Sequence, residues 1–201
     1  NKALLLENTI IMGAGGGPLG PLQSITITEG DVANPMLGRY EITAELGKGA
    51  MGIVYKGRDP KIDRIVAIKT MALSQEFEAD EIESVKERFF REAETGGKLN
   101  HSNIVTVFDA GDEHDLAYIA MEFLPGGDLS PFTKKDNLLP LPEAFDILID
   151  VCRGLAYAHE HNVVHRDIKP ANIMYNRANK KVVITDFGIA RVTDSSKTKT
   201  G

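Results

Sequence analysis

Cysteine is nearly absent from the chain, which has one such residue among 201. A single cysteine cannot form an internal disulfide bond, so other interactions must hold the fold together, and this sparing use fits a reducing compartment. Cys152 lies within an apolar helical pattern, which predicts that its side chain is a small buried hydrophobe. The sequence therefore gives no indication of a disulfide framework.

The chain also lacks an excess of positive charge. Lys and Arg number 23 against 29 Asp and Glu, for a net charge of -6. A general nucleic-acid binder carries a basic footprint, so we expect no nucleic-acid partner, and any phosphate site must be local. The apolar run at residues 3–6 ends at Glu7, which is too short for a membrane span or signal peptide. Because Asn1 is not an initiator methionine and residues 195–201 are small and polar, we expect a sequence cut from a longer chain.

The first 38 residues carry few signals of regular structure. Residues 13–21 combine glycines with two prolines, which predicts a linker. A dinucleotide-binding fingerprint begins with the right spacing at Gly13 and Gly15, but Pro18 stands where its third glycine belongs and no helix pattern follows. Ile alternates with Ser and Thr over residues 24–28, which is compatible with one extra strand. We therefore treat residues 1–38 as an N-terminal extension.

From Arg39 the pattern changes to short apolar strands separated by turns, in a chain whose 42% hydrophobic content leaves room for a core in one or two lobes. Apolar residues spaced by three and four predict one helix within residues 78–98. Together with five antiparallel strands it forms a first lobe over residues 39–122. The predicted strands cover residues 40–46, 52–58, 64–70, 104–110 and 116–122.

A partial, mainly helical second lobe, together with the connection that leads to it, is predicted over residues 123–201. Its main helix begins at Pro142, a residue suited to a first helical turn, and ends near Asn162. Short β segments follow at residues 163–164, 173–175 and 182–185. This order of elements indicates an α+β fold. The helix residues expected to face the core are Ala144, Leu148, Val151, Leu155 and Ala158.

Two features of the first lobe are suited to binding phosphate. The glycines Gly47, Gly49 and Gly52 lie between two predicted strands and let backbone N–H groups of a hairpin approach oxygen anions; a flexible hairpin without a ligand is the alternative. Lys69 ends an apolar strand, where alternation points its side chain into the interior or a cleft and its ammonium needs an anionic partner. Glu92 on the predicted helix is one candidate partner for this ammonium, and the phosphates of a nucleotide are another. The alternative is that Lys69 and Glu92 are both solvated side chains without a functional role.

The stretch 165–172, His-Arg-Asp-Ile-Lys-Pro-Ala-Asn, places a carboxylate, a lysine and an amide within six residues of one turn. Those groups are sufficient to orient a hydroxyl nucleophile, neutralise a phosphoryl group and ligate a metal. Asp186, followed by Phe187 and Gly188, comes after a predicted β-hairpin and offers a second hard oxygen ligand for magnesium.

Five motifs occur in the order found in the protein kinases, which the chain resembles from about Arg39 to Gly201. They are the glycine loop, Val-Ala-Ile-Lys at 66–69, the helix glutamate, His-Arg-Asp and Asp-Phe-Gly. The stretches Gly-Arg-Tyr-Glu-Ile at 38–42 and Arg-Phe-Phe-Arg-Glu-Ala at 88–93 resemble the bacterial, eukaryotic-like serine/threonine kinases more narrowly, as does Asp-Phe-Gly-Ile-Ala-Arg at 186–191. The resemblance implies a two-lobed kinase fold, ATP and Mg²⁺ as cofactors, and protein substrates with serine or threonine acceptors.

The resemblance also implies a role for each matching residue. Lys69, held by Glu92, would bind the α and β phosphates; Asp186 and Asn172 would hold magnesium; Asp167 would orient the acceptor hydroxyl, and Lys169 would stabilise the γ-phosphate. Nucleotide-binding roles fall to the glycine loop and to residues 120–124, which resemble the hinge that joins the lobes, with Met121 as gatekeeper. Asp128 would face the ribose, and a solvated loop aspartate is the alternative. The further residues are Gly47, Lys48, Gly49, Gly52, Val54, Ala67, Glu122, Leu124 and Met174.

Regulation is implied in the same way. Arg166 precedes the catalytic aspartate, so Thr198 and Thr200 become candidate phosphosites in an activation segment that autophosphorylation between associated copies would order. The location implied is cytoplasmic, or the cytoplasmic part of a membrane-anchored protein.

Two departures from the family pattern are expected to matter. Gly96 stands where many kinases have a larger apolar residue, and it and Gly97 each cost about 1 kcal/mol in helix propensity, which predicts a frayed helix end. The sequence also stops before the Ala-Pro-Glu motif, and a truncated chain would expose apolar surface. A nucleotide-binding pseudokinase or scaffold, or an inactive fragment, is therefore the rival hypothesis, whereas a small-molecule phosphotransferase fits the His-Arg-Asp and lysine pattern poorly.

Overall fold

A six-stranded antiparallel sheet forms the first lobe of the computed structural model, which describes residues 34–49, 52–113 and 115–187. Its strands lie in the order β1-β2-β3-β4-β6-β5. One long helix, α2 (Ile82–Gly97), packs against the sheet, and a short helix, α1 (Leu73–Glu76), precedes it. The strands are β1 (Met36–Leu37), β2 (Tyr40–Gly49), β3 (Gly52–Asp59), β4 (Arg64–Ala72), β5 (Val107–Glu113) and β6 (Leu116–Glu122).

The predicted count of five strands is wrong by one, because Met36–Leu37 adds a short edge strand to β2. Gly38 makes the tight connection possible: its φ is +56°, and an added Cβ would lie too close to the Tyr118 hydroxyl. The predicted strand at 104–110 also begins too early. Ile104 instead forms a bridge to Ile184 in the second lobe, so the chain bends there to join the lobes. The possible strand at residues 24–28 lies outside the described residues.

Alternation along β4 divides the first lobe into two apolar layers. Val66 and Ile68 are fully buried on one face with Tyr40 and Tyr55, where Tyr40 Oη donates a hydrogen bond to Asp109 at 3.0 Å. Residues on the opposite face pack against α2, whose buried positions have the predicted helical spacing. The period of two therefore puts Lys69 on the side of the sheet that faces the helix and the second lobe.

The second lobe combines the helix α3 (Leu141–Glu160) with a small sheet of β7 (Gly127–Asp128), β8 (Ile173–Asn176) and β9 (Lys181–Ile184). Short 3-10 turns cover Ser130–Thr133, Lys135–Asn137 and Pro170–Asn172. The predicted helix and its proline start are confirmed, and Asn162, just past the end, has a φ of +60°. The predicted β segment at 163–164 is wrong, because that stretch follows the helix end without forming a strand.

The core-facing side of α3 agrees with the prediction only in part: Val151 and Ala158 are buried as predicted, and Leu155 packs against the core. Its buried residues are Ile147, Val151, Gly154 and Ala158, whereas Leu148 is 54% exposed. Gly154 belongs to this buried side, where an added Cβ would lie 3.1 Å from the Asn103 carbonyl oxygen, so the helix approaches that segment closely.

A second apolar stripe of α3 is exposed, on the opposite side from its buried residues. It consists of Leu141, Phe145, Leu148 and Ile149, which cluster within one side of the helix at 100° per residue. Cys152 lies on this stripe and is exposed, so the prediction that it is buried is wrong. The described residues thus cover only part of the apolar surface that α3 presents.

Candidate functional site

A cleft of about 420 Å³ lies between the sheet of the first lobe and β7 and β8 of the second. This volume falls within the range of small-molecule binding sites. Most of the predicted nucleotide-binding residues line it, together with several that sequence reasoning missed. The lining comprises Leu46, Gly47, Val54, Ala67, Lys69, Val105, Met121, Glu122, Phe123, Leu124, Gly126, Gly127, Asp128, Ala171, Met174, Thr185 and Asp186.

The segment that joins the lobes forms one wall of the cleft. Met121 is buried and pairs with Ala67 across β4 and β6, and the Glu122 amide donates to the Thr106 carbonyl at 2.8 Å. The Glu122 side chain turns away to Lys181, whose Nζ lies 2.7 Å from its Oε1. This ion pair ties the end of β6 to β9 in the second lobe.

Lys69 reaches across the cleft to Asp186. Its Nζ lies 2.8 Å from Asp186 Oδ1, and the two side chains are 15% and 28% exposed. The sequence predicted Glu92 as the partner; the Glu92 backbone belongs to α2, but its side chain lies outside the described parts of the structure. Asp186 has a φ of +60°, an uncommon value for a residue other than glycine. The described residues therefore place one cation and one anion at the back of the cleft.

The turn between α3 and β8 brings Asp167, Lys169 and Asn172 together. The Asn172 amide nitrogen donates to both the Asp167 carbonyl, at 2.8 Å, and its Oδ2, at 2.9 Å, and Lys169 Nζ lies 2.7 Å from Oδ2. The hydrogen bond from Lys169, followed by the one from Asn172, lowers the pKa of Asp167 below its ordinary value, although partial burial opposes the shift. Asp167 is therefore a carboxylate at neutral pH, held in a fixed orientation.

His165 connects this turn to Asp186, a role that sequence reasoning missed. It is 1% exposed; its Nδ1 accepts the Asp167 N–H at 3.2 Å, so the Nε2–H donates to the Thr185 carbonyl at 2.7 Å. Its ring packs edge-on against Phe187. The His-Arg-Asp motif was the available signal, because a histidine that precedes the candidate base by two residues can bind that residue's backbone.

The glycine hairpin is only partly described. Gly49 pairs with Gly52 and Gly47 lines the cleft, but the two residues at the tip lie outside the described parts. Gly52 has a φ of +131°, and a Cβ would clash with the Thr70 carbonyl. Of the predicted loop residues, Lys48 is exposed and, like Gly52, does not line the cleft.

Asp128 lines the mouth of the cleft, as the predicted ribose contact requires. Its Oδ1 accepts the Ser130 N–H at 2.7 Å, which also holds the following turn. The predicted phosphosites Thr198 and Thr200 lie outside the described residues.

The predicted metal ligands fit magnesium by their chemistry. Asp186 offers a carboxylate, and the amide oxygen of Asn172 is left for a metal because its nitrogen donates to Asp167. Magnesium is commonly held by one or two protein oxygens plus substrate phosphates, so a small donor set suffices. Within residues 34–187, as far as they are described, no group of three or more His, Cys, Asp or Glu side chains forms a separate metal site.

None of the helices in the described part of the chain combines the length and the apolar content that a bilayer crossing requires.

Comparisons with known proteins agree with this geometry. Residues 40–201 match the sequence family described as "Protein kinase domain". Serine/threonine-protein kinase PrkC of Bacillus subtilis (strain 168) is 38% identical over 159 residues, which are 79% of this chain and 24% of that protein. Serine/threonine-protein kinase PknB of Mycobacterium leprae (strain TN) is 39% identical over 163 residues, or 79% of this chain and 25% of that protein.

Solved structures give the same picture. The crystal structure of the Mycobacterium tuberculosis PknI kinase domain has a TM-score of 0.66 at 28% identity, over 80% of this chain and 64% of that chain. The chain thus spans about a quarter of the length of the curated relatives that it matches.

Proposed function

The chain belongs to the protein kinase family, and from that premise we propose that it binds ATP with Mg²⁺ in the cleft and transfers the terminal phosphoryl group to serine or threonine hydroxyls of proteins. The observation that carries the proposal is the convergence of Lys69 and Asp186 at 2.8 Å in a cleft whose rear is joined by His165 to the Asp167 turn. The printed names of the relatives support the serine/threonine class.

The cleft suits a nucleotide on both sides. Val54 and Ala67 from the sheet, and Met174 from β8, supply apolar walls for a flat base. Glu122 and Leu124 line the same space, and backbone groups of these two residues would hydrogen-bond the base edge. Asp128 keeps one carboxylate oxygen for a ribose hydroxyl while the other holds Ser130.

Lys69 and Asp186, which form an ion pair in this structure, would separate and take different roles when the nucleotide binds. The Lys69 ammonium would bind phosphate oxygens, which are stronger acceptors when charged, and Asp186 and Asn172 would hold the magnesium. Magnesium, when bound, supplies neutralisation of the charge on the phosphate oxygens. Asp186, which is the partner of Lys69 in this structure, would then be available to the metal. The phosphate would replace it at Lys69, so no buried charge would be left unpaired.

Asp167 is placed to orient the acceptor. Its Oδ2, fixed by Lys169 and Asn172, accepts the hydrogen bond of the serine or threonine hydroxyl. The hydroxyl oxygen then bonds to the terminal phosphorus as the bond from phosphorus to the bridging oxygen breaks, and the hydroxyl proton passes to Asp167. Lys169 lies beside this carboxylate and would balance negative charge on the transferring group.

Regulation belongs to the same proposal. Arg166, next to Asp167, would bind a phosphate on Thr198 or Thr200, added by a second copy during self-association. Such a kinase works where ATP is plentiful, in the cytoplasm or on the cytoplasmic side of a membrane-anchored protein. Phosphopeptide mapping after incubation with ATP tests the two threonines.

The decisive experiment compares Asp167→Asn with Asp136→Asn in the full-length protein, using labelled ATP, magnesium and a generic protein substrate. Asp136 is exposed on the Lys135–Asn137 turn, so its variant removes the same charge outside the cleft. We expect Asp167→Asn to lower kcat by about 100-fold or more and Asp136→Asn to leave it unchanged. Transfer that survives in Asp167→Asn contradicts the assigned base, and nucleotide binding without transfer in the wild type supports the scaffold instead.

A further inference from the structure

The inner face of α2 becomes smaller towards its C-terminal end. Its buried positions run from Val85 and Phe89 to Ala93 and then Gly96, on one side of the helix by their spacing. The first two fill the space above the sheet, whereas the last two have little or no side chain. The end of the helix that lies nearest the second lobe is therefore the part with the least packing.

A small cavity of about 20 Å³ lies beneath this end of the helix. Its lining includes Ala93 and Gly96 of α2, Val107 and Met121 of the sheet, and Phe187 of the second lobe. Of the side chains in the described part of the chain that line it, that of Asp186 alone is polar, and Asp186 is bound to Lys69. A cavity with such walls offers a water too few partners and stays empty, so its lining atoms lose dispersion contacts on that side.

Nothing in the local geometry requires glycine at position 96. An added Cβ would meet one atom within 4 Å, Val107 Cγ2, at an ordinary contact distance of 3.5 Å, and Gly96 is not among the residues with positive φ. Gly52 shows the contrast, because its Cβ would overlap a backbone carbonyl. A methyl group at position 96 therefore fits the cavity without any movement.

We propose that Gly96 leaves the contact between α2, the helix that carries Glu92, and the segment 185–187 underpacked. Through this loose packing, Gly96 acts as a positioning residue for Asp186. Side chains on both sides of the cavity can shift into it, so the helix and Asp186 are held less firmly against each other than a filled interface would hold them. The kinetic part of this inference rests on the proposed function, because Asp186 would be the metal ligand. The packing part does not.

Hydrogen exchange of the full-length protein tests the packing part, with Gly96→Ala compared against Gly97→Ala. Both variants raise helix propensity, but Gly97 is exposed and its Cβ would contact nothing within 4 Å. Helix propensity alone slows local exchange at residues 96–99 by at most about 5-fold, the equivalent of ~1 kcal/mol. Filling a methyl-sized space adds a similar factor, so we expect about 20-fold for Gly96→Ala, with slower exchange at Phe187 in this variant alone.

Steady-state kinetics test whether the loose packing at Gly96 affects the positioning of Asp186. We expect Gly96→Ala to raise kcat about 2- to 3-fold with little change in KM for a protein substrate, and Gly97→Ala to match the wild type. Equal exchange rates in the two variants, or an unchanged exchange rate of the Phe187 amide, would show that the contact is not underpacked. Equal kcat in the two variants overturns the positioning role. If no variant transfers phosphate, the proposed function fails, and the exchange comparison still decides the packing.

Discussion

Replacing Asn172 separates two roles of its amide: the hydrogen bonds that hold Asp167 and the proposed ligation of magnesium. The side chain is buried, and its nitrogen donates one hydrogen bond to the Asp167 carbonyl and one to the Asp167 carboxylate. A hydrogen bond to a neutral group contributes about 1 kcal/mol and one to a charged group about 1.5–3 kcal/mol. Asn172→Ala should therefore cost about 2–4 kcal/mol, which lowers the Tm of a domain this size by about 5–15 °C.

Thermal unfolding in the absence of nucleotide and magnesium measures this loss without any contribution from a bound metal. Asn137→Ala is the matched control, because Asn137 makes one exposed amide hydrogen bond, to Pro131; its Tm should fall by less than about 3 °C. Asn172→Ala should also lose phosphoryl transfer.

Asn172→Asp provides a second arm, since it keeps an oxygen for the proposed metal but loses both donors and places a carboxylate beside Asp167. Repulsion raises the pKa of such a pair in the folded state, so the destabilisation is greatest at neutral pH and is relieved as the pH falls. A Tm for Asn172→Ala within about 2 °C of the wild type, or an Asn172→Asp deficit that does not shrink in acid, would refute the reasoning.

Three further outcomes are expected. Lys169→Met should raise the pKa of Asp167 towards its ordinary value, because Lys169 is the main cause of its lowering, so the acidic limb of the kcat profile should move to higher pH; an unmoved limb contradicts this. Gly52→Ala should lower the Tm because its Cβ would overlap the Thr70 carbonyl, whereas Gly47→Ala, with nothing within 4 Å, should not; unfolding scans compare them. Leu148→Lys should reduce light scattering by the 201-residue chain, since Leu148 is 54% exposed on an apolar stripe; unchanged scattering would show that the stripe does not drive association.

Much of the fold follows from local periodicity. Alternation in β4 was enough to put Lys69 on the cleft side of the sheet, and the spacing of apolar residues was enough to find α2 and α3. The predicted face of α3 was right at Val151 and Ala158 but wrong at Leu148, because that helix is apolar around much of its circumference. Its buried side includes Gly154, which approaches Asn103 closely, and this is a contact between distant segments that a helical period does not contain.

The candidate site divides in the same way. Motif order predicted which residues line the cleft, including Lys69, Met121 and Asp186. The pairing of Lys69 with Asp186 joins residues 117 positions apart, so it depends on how the two lobes meet rather than on any local pattern. The bridging role of His165 depends on the same meeting, because one of its ring nitrogens binds each side.

The buried tyrosines of the first lobe set an alkaline limit on its folding. Burial, with help from Asp109, raises the pKa of Tyr40 to about 12, and burial raises the pKa of Tyr55 to about 12. The neutral phenols are thus favoured in the folded state, so their contribution to stability is complete below pH ~10 and is lost as the pH rises towards 12. Base should therefore ionise these rings together with unfolding of the sheet. Tyrosinate absorbance becomes an intrinsic reporter of unfolding in a chain that has no tryptophan, and buried Tyr175 of the second lobe contributes to the same signal.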